Sequence, residues 1–143
     1  MKKIVILLVL VIIIVAGISY TYLKYETNLK IAQKENFQYE NYFEKEVQGS
    51  DVATVINKAI DSNTKNEVQK DSKGLYIDNE QNSIKIDIKF TDNDTTYNME
   101  TIYSGGTDKF VQYYSEIKFK CTKIEYHQKT NRIKYMLFEQ KTQ

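Results

Sequence analysis

The chain carries a single histidine, His127, and a single cysteine, Cys121, so a catalytic triad has to use that histidine. A triad would pair His127 with a serine or with Cys121. His127 lies between Tyr126 and Gln128, in a segment that reads as a hairpin turn, where an exposed polar residue belongs without any chemistry. Cys121 follows Phe119 and Lys120 on a predicted strand, and a free cysteine commonly behaves as a small buried hydrophobe. No motif joins either residue to a base and oxyanion donors, so no catalytic residue is assigned and the chain is not read as an enzyme. A lone cysteine also excludes an intramolecular disulfide and a metal site made from cysteine pairs.

Oxygen chemistry has two candidates. Asp78-Asn79-Glu80-Gln81-Asn82 places oxygen ligands at alternate positions, as a hard cation requires, and Asp92-Asn93-Asp94 is a shorter version. The first lacks the glycine and the distal bidentate glutamate of an EF-hand loop, and Asp and Asn are also the residues that make turns. No metal and no cofactor is assigned. Ser104-Gly105-Gly106-Thr107 precedes a short helix and has the shape of an anion cradle, but it lacks the Lys-Ser/Thr pair of a nucleotide loop and reads as a strand-to-helix turn. Twelve tyrosines are enough to line a glycan or peptide groove, although sheet propensity and packing explain them first.

The elements that must hold these residues begin at the N-terminus. Met1-Lys2-Lys3 leads into an uncharged, mostly aliphatic run from Ile4 to Leu23. At 1.5 Å rise per residue, about 20 apolar residues cross a bilayer core, so residues 1–23 read as a transmembrane anchor. A cleaved signal peptide would break after about 7–15 apolar residues, whereas here apolar character continues through Ile18, Tyr20, Tyr22 and Leu23. Lys2 and Lys3 favour a cytoplasmic N-terminus with the remainder outside a bacterial cell membrane. Formal charge is +1 for the chain, and setting aside those two lysines leaves an outer part about one unit acidic. That excludes a basic field for nucleic acid.

Residues 24–143 form one extracytoplasmic domain in this reading. Tyr25, Leu29, Ala32, Tyr39, Phe43 and Val47 recur at helical spacing with Asn36 as the polar gap, predicting that the first helix runs on through 24–48 and stops at Gly49. Phe43 is then a core contact. Ser50 or Asp51 caps a second helix over 51–62, with Val52, Val55, Ile56, Ala59 and Ile60 on one face. Residues 62–74 read as an exposed loop and Leu75-Tyr76-Ile77 as a short strand. Ile84, Ile86, Ile88 and Phe90 alternate with charged residues, the clearest strand in the chain. A second strand over 95–103, a short helix near 107–116 capped by Thr107, and a hairpin of 116–126 with 132–139 complete an antiparallel sheet over 74–139. Phe119 and Cys121 share one parity and Ile124 and Tyr126 the other, which implies a bulge near Thr122-Lys123. The fold class is α+β, with the long helix packed on the sheet.

A hydrophobic N-terminal helix running into an amphipathic half on an antiparallel sheet resembles type IV pilins and pseudopilins. Val47-Gln48-Gly49-Ser50-Asp51-Val52, leading into Ile56, is similar to a segment of small pilin-like single-pass membrane proteins of Gram-positive bacteria. The resemblance covers about residues 1–60. The apolar run starts directly after Lys3 and contains no acid, so the prepilin cleavage pattern is absent. The resemblance implies a structural subunit or an accessory of an envelope assembly. If the helix stripe is wider than one sheet face covers, its surplus is expected to meet a protein partner or another copy in the membrane through Tyr25, Leu29, Ala32 and Phe43. The other reading is an extracytoplasmic ligand-binding or sensing domain, with its pocket at the sheet edge near Ser104–Thr107.

Overall fold

The computed structural model describes residues 1–142. One unbroken helix, α1, spans Lys2–Glu40. It contains no proline, and its one glycine, Gly17, has open space where a Cβ would sit. Its apolar half is exposed throughout, with Ile4, Leu8 and Ile14 each more than half accessible.

α1 ends eight residues before the expected stop at residue 48. Residues 41–44 turn the chain, Glu44 N–H donates to the Cys121 carbonyl at 3.0 Å, and Glu46–Gln48 becomes a strand, β1. Phe43 and Val47, which extend the helical spacing in sequence, therefore belong to a turn and a strand. Phe43 bridges Cys121 and remains 40% exposed, so it is not the core contact that the spacing predicts.

The second helix, α2, is longer than expected, Gly49–Lys65. Gly49 begins it instead of stopping α1, because Asp51 accepts from the Gln48 N–H at 3.1 Å and satisfies the first turn. Gly49 is also a contact requirement: a Cβ there would lie 2.0 Å from the Tyr114 carbonyl oxygen. The expected strand at 75–77 is only a single bridge between Lys70 and Tyr76.

Strands β2 (Lys85–Phe90) and β3 (Thr95–Asn98) follow. The expected strand over 95–103 breaks at Asn98, whose side chain accepts from the Thr101 N–H at 2.8 Å and caps α3, Met99–Gly105. α4 covers Thr107–Tyr114, with Gly106 in the cap position that Thr107 was expected to hold. Strands β4 (Lys118–Tyr126) and β5 (Ile133–Gln140) close the chain. The β4–β5 register shifts between Cys121 and Lys123, so Cys121 and Ile124 pair with Phe138 and Met136 on the same core face, as the change of parity implies.

The sheet is mixed, in the order β1-β4-β5-β2-β3. The wholly antiparallel sheet expected from sequence is overturned by β2 and β5, which pair in parallel. α3 and α4 carry the chain away from β3, so β5 returns beside β2. The fold is α+β. Its core lies between one face of the sheet and α2, which presents Val52, Val55, Ile56, Ala59 and Ile60, all buried. The expectation that α1 covers a sheet face does not hold: α2 occupies that face, and α1 buries only Ala32, Asn36 and Tyr39.

Candidate functional site

The only histidine belongs to the architecture. His127 is 2% exposed, not in an open turn as expected. Its Nε2 lies 2.7 Å from the Ser83 carbonyl, which can only accept, and Nδ1 lies 3.8 Å from an Asp78 oxygen. Lys134 reaches the other Asp78 oxygen at 2.6 Å and holds that carboxyl down to about 2. Cys121 is fully buried, and burial pushes its thiol up to about 11, so it is a protonated core residue and a poor nucleophile. No serine hydroxyl hydrogen-bonds either residue among the described residues.

The acidic turn is closed on itself. Asn79 Oδ1 accepts from the N–H groups of Gln81, Asn82 and Ser83, each at 3.0 Å. Asp78 accepts from Glu80 N–H and the Ser83 hydroxyl, and Lys129 takes Glu80 at 2.6 Å. Its oxygens hold turn backbone and lysines. Among the described residues no three His, Cys, Asp or Glu side chains are grouped as metal ligands.

Of the four residues expected to meet a partner, Tyr25, Leu29 and Ala32 lie on one face of α1 and Phe43 does not. Tyr25 is 60% exposed and Leu29 half-buried, while Ala32 packs on the chain's own domain and Phe43 lies beyond the helix. The docking residue is one that sequence reading treats as a gap. Asn36 donates to the Asn131 carbonyl at 2.7 Å and accepts from the Ile133 N–H at 2.9 Å. Glu35 pairs with Arg132 at 3.2 Å, and Glu40 accepts from Tyr126 at 2.8 Å. Buried Tyr39 completes the dock. Burial raises its phenol, and the Glu35 carboxylate adds to the rise. Below this dock, a cleft of about 280 Å³ separates Tyr25 and Leu29 from Thr130 and Arg132.

The other end of the sheet is aromatic. Progress along α1 and its turn runs back along β4: Glu40 meets Tyr126, Phe43 meets Cys121, and Val47 pairs with Phe119. β5 starts at the Asn36 dock, and Gln140 at its far end donates to Asp92 at 3.0 Å. Eight residues of strand place these ends roughly 23 Å apart. There Phe90 meets Tyr114 at 4.9 Å, Tyr97 at 5.6 Å and Phe119 at 5.9 Å between ring centres, edge-on or tilted as ring quadrupoles favour. A groove of about 330 Å³ opens between Phe90, Tyr97, Tyr114, Ile102 and Gly106, with Lys109 and Tyr113 also lining it. It adjoins the Ser104–Thr107 turn, where a pocket is expected if the domain binds a ligand. The sequence signals its helix side through Phe110, Val111 and Tyr114, but not the juxtaposition of Phe90 and Tyr97 with them.

Comparison with protein-family models, curated proteins and solved structures finds no match, so the functional reading rests on the geometry of the chain itself.

Proposed function

We propose that this is a single-pass membrane protein whose α+β domain stands outside a bacterial membrane in a structural or interaction role, as a pilin-like subunit or an accessory of envelope assembly. One observation carries the reading. The first half of α1 is apolar enough to cross a membrane, and none of that window is buried by the chain. Exposing one such side chain to water costs about 1.5–3 kcal/mol, so a dozen outweigh the roughly 5–15 kcal/mol that holds a domain together. A bilayer supplies the missing cover. From Leu23 to Ala32, the first buried residue of α1, the helix rises about 14 Å, which lifts the domain clear of the hydrocarbon.

A second reading, a ligand-binding domain, is favoured by the aromatic groove at the end of the sheet far from the anchor.

The topology is tested by Gln112→Cys in the exposed face of α4. The native Cys121 is fully buried and does not compete for label. A membrane-impermeant maleimide should label this variant on intact cells. Labelling that appears only after lysis would place the domain inside and overturn the proposal.

A further inference from the structure

The two edges of the sheet are built differently. β1 is three residues long, and its Glu46 lies 3.7 Å from both Lys118 and Lys141. Charged and very short edges resist further strand pairing. β3 is Thr95-Thr96-Tyr97-Asn98: it has no charged side chain and no proline, its register with β2 is unbroken, and among the described residues no strand lies beyond it.

Beside this open edge lies the aromatic groove. Tyr97, on β3, is 39% exposed and packs edge-on against Phe90. Tyr113 is 74% exposed on the far rim. A volume of about 330 Å³ is at the small end of ligand pockets, about 300–1,000 Å³, and suits one large side chain. The β2–β3 turn brings two carboxylates to the rim, Asp92 and Asp94. Lys109 lines the same groove as Asp92, and Lys89 lies 3.6 Å from Asp94 and 4.0 Å from Glu139, so the rim carries both signs of charge.

We propose that the β3 edge and this groove bind an extended peptide segment of a partner protein, which joins the sheet as a sixth strand. One aromatic or aliphatic side chain enters the groove, and the peptide's main chain pairs with the open β3 edge. Strand addition draws affinity from main-chain hydrogen bonds and specificity from pockets for alternate side chains. This site offers both, next to each other. A glycan would use the aromatic faces but leave the strand edge unpaired, so the combination favours a peptide. The proposal rests on the interaction role above and names the class of partner.

The test uses the full chain, isotope-labelled, in phospholipid nanodiscs. The probes are the capped hexapeptide Lys-Thr-Phe-Thr-Val-Thr, the same peptide with proline in place of its central threonine, and an N-acetylglucosamine tetramer. The first peptide should shift the amide signals of residues 95–98 and 113 saturably and slow hydrogen exchange along β3. The proline peptide should bind at least tenfold more weakly, and Tyr113→Ala, at a rim position outside the core, should weaken the first peptide by about tenfold. Three results would overturn the proposal: residues 95–98 unmoved by the peptide, equal binding of the proline peptide, or a response to the sugar tetramer alone. The last would leave the ligand-binding reading standing. Retention of the protein in the membrane is measured separately, so the anchor reading does not share the fate of this one.

Discussion

α1 and α2 lie one after the other in the chain and do opposite work. α1 has 39 residues and buries three side chains; α2 has 17 and buries most of one face, from Val52 to Asn63. Length therefore says little about which helix makes the core. α2 is short, with β-branched and alanine residues closely spaced on one side, and it seats flat on the sheet. α1 touches the domain through its last turns and is otherwise bare. Each helix nevertheless fixes a strand with the same device. Asn36 on α1 makes a pair of hydrogen bonds with the backbone of Asn131 and Ile133, and Asn63 on α2 makes both of its bonds to Ile84, each at 2.8 Å.

Charges placed on the two helices should break the comparison most sharply if it is wrong. Ile56 on α2 is fully buried, and Ile56→Asp should cost more than about 4 kcal/mol and leave the domain unfolded. Phe37 on the outer side of α1 is 66% exposed, and Phe37→Asp should change stability by less than about 0.5 kcal/mol. Denaturant unfolding of the full chain in detergent reads both. Equal losses would mean that α1 packs more extensively than the fold describes.

A smaller effect is expected at the dock. Asn36→Leu removes two hydrogen bonds and leaves the Ile133 N–H buried without a partner, a loss of about 2–3 kcal/mol. The variant should also expose 127–133 to faster amide exchange while α2 keeps its protection. Uniform loss of protection would contradict a dock confined to one end.

A smaller effect than at the dock is expected on the turn beside it. Lys134 lowers the Asp78 carboxyl to about 2 from its usual 3.8. A carboxyl lowered on folding stabilises the native state above its unfolded pKa, and that contribution fades as pH falls from about 4 toward 2. The loss should be on the order of 1–2 kcal/mol across that window. Asp78→Asn should already lack this contribution at pH 7 and show a flatter acid limb. An unchanged acid limb would remove Asp78 from the account.

Much of the core is legible in the sequence because it is local. The alternation from Ile84 to Phe90 fixes β2, the stripe from Val52 to Ile60 fixes α2, and the change of parity after Cys121 marks the bulge. What is not legible depends on distant partners. Phe43 and Val47 keep helical spacing after Tyr39, yet the Cys121 carbonyl and β4 draw them into a turn and a strand. The end of α1 has no Gly or Pro to announce it. The parallel pairing of β2 with β5 joins segments separated by four other elements, which no local period reveals. α3 had a readable sign in Asn98 followed by Glu100, but the β-prone Thr95–Tyr97 run outweighed it. Of the site, the rings of α4 are visible in the sequence, and their meeting with Phe90 and Tyr97 is a product of the fold.

The central claim is that the bare half of α1 stays on the protein as its membrane anchor. Intact-mass measurement of the protein extracted from carbonate-washed membranes tests it most directly. The account predicts a chain of about 16.8 kDa beginning at Met1 or Lys2. A shorter chain beginning between Ile18 and Tyr20, recovered from the soluble fraction, would contradict it.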